Sequence, residues 1–213
     1  MIENATGLVL RTRPLTETSL IVQWLTPNFG RLATVAKGAR RPKSPFRGKL
    51  DLFYLADFSF SRSQRSELHN LREVSLCETR PALRHELAYL EQASYCSALI
   101  AQTTETETPL ADIFSLMRNF LDQLPNQPPA ARNVFTFELK LLAELGLAPD
   151  LENSRLTPGS KEIVRSLEQR DWSSLARLKL SAAQATELRE FLHGYLIFHL
   201  GKIPRGRAEA LRQ

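Results

Sequence analysis

Between positions 37 and 49 the chain carries Lys37, Arg40, Arg41, Lys43, Arg47 and Lys49, and no acid. Guanidinium and ammonium groups gathered this densely suit a polyanion, because they bond phosphate oxygens and displace condensed counterions. Most charge runs are merely solvated faces. Here, however, Gly38, Pro42, Pro45 and Gly48 interrupt the run, which marks a mobile, surface-exposed loop able to mould itself to a nucleic-acid backbone. Arg11 and Arg13 alternate with Leu8 and Leu10, so they share the polar face of an earlier strand and extend the basic set by charge pattern.

No comparable pattern exists for catalysis. A G-x-x-x-x-G-K-[ST] phosphate loop is absent, and Phe46-Arg47-Gly48-Lys49 holds only its last fragment. His69, His85, His193 and His199 are scattered, with no H-E-x-x-H, and read as surface or packed histidines. Asp51 and Asp57 fall on one strand face but six residues apart, roughly 20 Å at about 3.3 Å per residue, too far for a shared metal. Cys77 and Cys96 lack C-x-x-C spacing, which argues against a cysteine-built zinc site or a disulfide framework and for a reducing cytoplasm. The expectation is therefore a protein that is not an enzyme and needs no cofactor or metal. A nuclease is the weaker alternative, and magnesium-dependent cleavage is its signature.

The charge is lopsided. Through residue 80 there are 13 Lys and Arg against 7 Asp and Glu, and from residue 81 onward 15 against 16, so the first third carries the whole basic excess. A length of 213 residues admits one or two domains. No apolar run approaches the roughly 20 residues of a membrane helix, and Met1-Ile2-Glu3-Asn4 does not open a secretory leader, so no membrane partner is expected.

The elements that must hold the basic residues alternate with period two at first. Leu8–Arg13, Thr18–Leu25, Arg31–Lys37, Leu52–Phe60 and Glu67–Cys77 read as five short strands, and Thr26-Pro27-Asn28-Phe29-Gly30 as a turn. Five strands in about 75 residues suit a small closed barrel such as the OB-fold. Trp24, Tyr54, Phe58 and Phe60 are expected to fill it, with one or two exposed aromatics left to stack on bases. Beyond Arg80 the period becomes 3.6. Pro81 marks a helix start, followed by the stripe Leu83, Leu87, Leu90, Ser94, Ser97 and Ala101. Thr108-Pro109 is expected to cap a helix running to Leu124, and Pro125–Pro129 breaks it. Val134, Phe137, Leu141, Leu142 and Leu145 line a helix ended by Gly146. Ser181 and Gln184 have capping-box spacing ahead of a helix whose Leu188, Phe191, Leu192, Tyr195, Leu196 and His199 share a face. The fold class is α+β in the order β then α, with an OB-fold nucleic-acid-binding domain over residues 1–80 and a helical domain over 81–213.

Thr16-Glu17-Thr18-Ser19, Phe29-Gly30-Arg31-Leu32 and Ala36-Lys37-Gly38-Ala39-Arg40-Arg41-Pro42-Lys43-Ser44 resemble, in order and spacing, the N-terminal signature of the RecO recombination-mediator family. Phe137–Pro149 and His199-Leu200-Gly201-Lys202 match further along, so the resemblance spans the chain. It implies a bacterial, nucleoid-associated DNA-repair protein that binds single- and double-stranded DNA and anneals complementary strands. Its implied partners are RecR and the single-stranded-DNA-binding protein, with the RecA recombinase engaged indirectly through loading. By the same resemblance Arg31, Lys37, Arg40, Arg41 and Lys43 contact phosphates, and Arg47 and Lys49 extend that set by charge.

Two departures from the family pattern stand out. Many relatives insert four zinc-binding cysteines after the Gly-Leu-Ala-Pro helix end, where Asp150-Leu151-Glu152-Asn153-Ser154-Arg155 continues without them. An arginine pair that helps some relatives hold the acidic tail of the single-stranded-DNA-binding protein is replaced by Phe135 and Thr136, leaving Arg132 and Lys140 as substitutes. Without the resemblance, an RNA-associated OB-fold protein and a helical protein-interaction adaptor remain alternatives, since a basic groove serves DNA and RNA equally.

Overall fold

The computed structural model describes residues 1–212. Its described residues divide into two units, one of residues 1–81 with 104–115, the other of residues 82–103 with 116–212.

In the first unit, β1 (Ile2–Pro14), β2 (Leu20–Thr26), β3 (Gly30–Ala36), β4 (Leu55–Ser61) and β5 (Leu68–Glu78) form a closed barrel in the order β1-β2-β3-β5-β4. This is the five-stranded OB-fold architecture. Closure depends on the length of β1. Its first half pairs with β4, from Ile2 opposite Ser61 to Leu8 opposite Leu55, and its second half with β2, from Leu8 opposite Leu25 to Pro14 opposite Leu20. A register shift between Val9 and Arg11 bends the strand between the two partners. A short parallel pairing of Ala33–Val35 with Leu68–Asn70 completes the circuit.

Alternation fills the interior: Trp24, Phe58 and Phe60 are buried, with Trp24 stacked on Phe58 at 4.1 Å between ring centroids. The indole Nε1 donates to Thr34 Oγ1 at 2.9 Å, so the buried N–H is satisfied. Tyr54 and Phe29 are half-buried, and no aromatic residue of the barrel strands or loops is fully exposed among the described residues. Asp51 lies outside β4, in the turn before it, and its Oδ1 accepts from the Leu52 N–H at 2.8 Å. The strand begins only at Leu55 because Phe53 turns the chain with φ 64.

Residues 104–110 form a strap along β3. The Glu107 N–H donates to the Arg31 carbonyl at 2.8 Å and the Leu110 N–H to the Pro27 carbonyl at 3.1 Å. This docking displaces the expected Thr108-Pro109 helix start, and α2 (Ala111–Gln123) opens later. Gly30 makes the approach possible: it has φ +61, and a Cβ there would lie 1.7 Å from the Thr108 carbonyl oxygen.

In the second unit a 3-10 turn at Pro81–Arg84 precedes α1 (Leu87–Thr103). The buried residues of α1 are Tyr89, Gln92, Ala93, Tyr95, Cys96, Ser97, Leu99 and Ile100, so of the expected stripe Leu83 and Ser97 are buried, while Ser94 is exposed and Leu87 is 71% exposed. Tyr89 and Gln92 turn inward because each finds an acceptor there, the buried Gln127 carbonyl at 3.0 Å and the half-buried Ala130 carbonyl at 3.0 Å. The remaining helices are α3 (Ala131–Glu144), α4 (Pro158–Gln169), α5 (Trp172–Leu175), α6 (Ala182–Leu200) and α7 (Arg207–Ala210). Gly146 ends α3 at φ 71, with its N–H on the Ala143 carbonyl and the Leu147 N–H on that of Leu142, a Schellman arrangement. The Ser181–Gln184 capping box opens α6.

At the centre of this unit Glu138 is fully buried. Its Oε1 accepts from Tyr95 Oη at 2.6 Å and Arg207 Nε at 2.7 Å, and its Oε2 from Arg207 Nη2 at 3.0 Å. Burial opposes the charge on Arg207, but the hydrogen bond and the charge of Glu138, with Tyr95 beside it, together outweigh it and raise the pKa. Burial also pushes the Tyr95 phenol far above its ordinary value, with the Glu138 charge adding to the effect. Gln92 Nε2 and Arg189 Nη2 bond the carbonyls of Ala210 and Leu211, clasping α7 onto the bundle.

Candidate nucleic-acid interface

The basic stretch is the β3–β4 connection of the barrel. Its backbone is a succession of turns, with N–H to carbonyl bonds from Ala39 to Ala36, Arg41 to Gly38, Ser44 to Arg41, Arg47 to Ser44 and Lys49 to Phe46. The Arg40 N–H also donates to the Thr18 carbonyl at 3.0 Å, which ties the loop to the β1–β2 turn. Phe46 is 7% exposed and enters the barrel core beside Phe58 and Val74. The stretch is thus a pinned platform rather than a free span. A large apolar side chain alone amid six cations was the sequence signal for this, and charge reading passed over it.

Lys37, Arg40, Arg41, Lys43 and Arg47 are exposed on this platform. Arg40 Nη1 touches the Thr16 carbonyl at 3.2 Å and Arg47 Nη1 the Pro42 carbonyl at 3.3 Å, neutral acceptors that orient the guanidinium groups without cancelling their charge. Arg11 and Arg13 are exposed on the end of β1 that pairs with β2, opposite Gln23 and Ile21. Register across β2 carries those pairs to Ala33 and Val35, near the β3 end from which the platform departs.

Arg31 and Lys49 do not stand with these cations. Arg31 is half-buried, its Nε donating to Thr104 Oγ1 at 2.8 Å and its Nη2 to the Thr104 carbonyl, and burial lowers its pKa. Lys49 Nζ donates to the Val74 carbonyl at 3.0 Å. Arg31 thus holds the start of the strap and Lys49 the backbone of β5, uses that charge pattern cannot separate from phosphate contact. An open groove of about 700 Å³ beside the platform is lined by Lys49, Phe46, Asn4, Thr6, Ser59 and Arg72.

The two cations expected to hold a partner's acidic tail are likewise committed inside the second unit. Arg132 Nη1 donates to the carbonyls of Ala176 and Leu178 at 3.2 and 2.5 Å, and Nη2 to Gln127 Oε1 at 3.1 Å. Lys140 Nζ donates to the Glu168 carbonyl at 2.7 Å. Burial lowers the pKa of each.

Charge reading also missed the strap's ionic network. Glu107 reaches Arg62 and His69, and Arg62 Nε donates to Glu3 Oε1 at 2.7 Å. The Ser63 N–H donates to His69 Nδ1 at 3.2 Å, which assigns the ring proton to Nε2, 3.0 Å from Glu107. Arg62 sits 5.9 Å over the Phe29 ring. Among the described residues no cluster of three or more His, Cys, Asp or Glu could hold a metal, and no helix is long and apolar enough to cross a membrane.

Residues 1–80 match the family model described as "Recombination protein O N terminal", and residues 84–157 the one described as "Recombination protein O C terminal". The chain belongs to the RecO family. A relative named "DNA repair protein RecO" from Syntrophus aciditrophicus (strain SB) is 33% identical over 146 residues, 68% of this chain and 56% of that protein. Another of that name from Rhodopirellula baltica is 28% identical over 167 residues, 78% of this chain and 61% of the relative. A third, from Xylella fastidiosa (strain M23), is 29% identical over 205 residues, 94% of this chain and 80% of its own length. The chain thus spans less than two thirds of the first two RecO relatives. The barrel coincides with the N-terminal RecO match, and α4 to α7 lie beyond the C-terminal one.

Proposed function

We propose that this RecO-family chain is a recombination mediator that binds single- and double-stranded DNA through the pinned basic platform and anneals complementary strands. The observation that carries the reading is five exposed cations, Lys37, Arg40, Arg41, Lys43 and Arg47, on a backbone anchored by Phe46, with no acid between Glu17 and Asp51. A surface of this kind neutralises phosphates on two strands and lowers their repulsion, while the bases stay free to pair. Phosphate contacts carry no sequence information, so pairing itself supplies the specificity. The names of the RecO relatives support a role in DNA repair, and on this reading the chain acts at the nucleoid of a bacterial cell. On the same reading the chain works with RecR, engages DNA coated by the single-stranded-DNA-binding protein and assists RecA loading, with no catalytic step or cofactor of its own. With Arg132 and Lys140 committed internally, the acidic tail of the single-stranded-DNA-binding protein docks elsewhere on the chain.

The test is binding and annealing of labelled complementary oligonucleotides across a salt series, for the parent and for Lys37, Arg40, Arg41 and Lys43 all changed to Ala. The expected outcome is loss of both activities, with a log–log salt slope shallower by about 0.7 for each phosphate contact removed on single strands. A folded variant that binds and anneals like its parent overturns the reading.

A further inference from the structure

The open groove of about 700 Å³ beside the basic platform shares Pro45 and Phe46 with it, and the exposed Arg47 follows directly in the chain. Cross-strand rows of β1, β4 and β5 line it: Asn4 stands opposite Ser59 and Ser59 opposite Glu73, while Thr6 stands opposite Asp57. A register shift between Ser59 and Phe60 leaves Arg72 as the extra residue of β5, so Arg72 and Glu73 are both exposed although they are neighbours on a strand. Three polar side chains of the groove, those of Asn4, Asn28 and Ser59, have no hydrogen-bond partner among the described residues. Phe46, Phe58 and Val74 add apolar surface to the same groove.

Charge separates this groove from the platform. Its two acids, Asp57 and Glu73, balance its two cations, Lys49 and Arg72. Three of the four are also engaged locally: Asp57 Oδ1 accepts from Thr6 Oγ1 at 2.5 Å, Lys49 Nζ donates to the Val74 carbonyl at 3.0 Å, and Arg72 Nε donates to Ser61 Oγ at 2.8 Å. A phosphate entering here meets two carboxylates, whereas the platform next to it holds none, so the anionic part of a ligand stays on the platform. What suits the groove is an uncharged group whose edges both donate and accept, because the Asn4 and Asn28 amides do both. A nucleobase meets these conditions, fits a groove of this size, and arrives joined to the phosphates that the platform attracts. Bases stacked and paired in a duplex do not reach it, and an unpaired base does.

We propose that this groove holds one unpaired nucleobase of a strand whose phosphates lie on the basic platform, with Asn4, Asn28 and Ser59 bonding its edges. The inference rests on the platform reading above and adds a preference to it. Platform contacts alone treat single and double strands by their phosphates, while the groove favours the single strand. It accepts any base, since amides and hydroxyls turn to suit either kind of edge. When the strand pairs with its complement that base leaves the groove, so the annealed product is held less tightly than the strands it came from.

The test compares binding of the full chain, by fluorescence anisotropy, to two labelled single strands of equal length, one ordinary and one abasic throughout. The parent is expected to bind the ordinary strand more tightly by about fivefold or more, the gain from holding one base. Both strands carry the same phosphates, so this ratio holds across a salt series while each affinity falls. Asn4→Ala with Asn28→Ala, both at exposed positions, brings the ratio towards one and leaves the affinity for the abasic strand and the unfolding midpoint unchanged. Ser59→Leu, which fills the groove and cannot bond a base, does the same by a second route. Equal binding of the two strands by the parent overturns the proposal, as does a preference that survives both the Asn4/Asn28 and the Ser59 variants. Failure of the platform reading looks different: the variant with Lys37, Arg40, Arg41 and Lys43 changed to Ala then binds the abasic strand as tightly as its parent, and the groove's assignment to a strand held there falls with it.

Discussion

Phe46 and the cations around it divide the work of the basic platform between anchoring and contact. The ring belongs to the barrel core and the charges belong to solvent, so the two kinds of substitution separate experimentally. Phe46→Ala leaves a cavity in the core and is expected to cost about 3–5 kcal/mol by urea unfolding, with weaker binding as the platform detaches. The fourfold Ala variant of Lys37, Arg40, Arg41 and Lys43 removes only exposed side chains and leaves the unfolding midpoint nearly unchanged. The Glu138–Arg207 pair shows the same logic in the helical unit. Glu138→Gln or Arg207→Met alone strands a buried partner and is expected to cost about 3–5 kcal/mol. The combined Glu138→Leu and Arg207→Met recovers a large part of that loss, which denaturation of all three variants measures.

At the scale of elements, the strap 104–110 and β3 depend on one backbone geometry at Gly30. Gly30→Ala meets both the positive φ and the Thr108 carbonyl 1.7 Å from the new methyl. The strap is expected to lift at a cost of about 1–3 kcal/mol, read as faster amide exchange at Glu107 and Leu110, the two N–H groups it bonds to the barrel. The five strands were legible because a half-buried sheet writes its alternation directly into the chain. The α1 stripe misled because the helix buries Tyr89 and Gln92, polar groups whose acceptors lie some forty residues away, and leaves Leu87 in water. The Thr108-Pro109 cap failed for a related reason: local capping chemistry competed with backbone bonds to residues 27 and 31 and lost.

At the scale of the whole molecule, the basic excess of residues 1–80, gathered on the platform, gives that face of the barrel the electrostatic attraction for a polyanion. The helical unit differs in leaving large apolar side chains, Phe198 and Ile197 of α6, in solvent. If binding is set by phosphates, the fourfold variant reduces affinity by the same factor for every oligonucleotide sequence.

The order of the five strands, the helices α1, α2, α3 and α6, the closed-barrel class, the place of the basic loop and the Ser181 and Gly146 helix ends lay in the sequence itself, because periodicity, capping and turn chemistry act over a few residues, whereas α4, α5 and α7 were not foreseen. Which cations face solvent did not. Arg31, Lys49, Arg132 and Lys140 carry the same charge as Lys37 or Arg41, yet each donates to a carbonyl far along the chain, and only tertiary folding brings that acceptor within reach. The plugging of the barrel by Phe46, the strap on β3 and the burial of Glu138 against Arg207 have the same origin. A long-range partner decides whether a polar group is spent inside the protein or offered to a ligand.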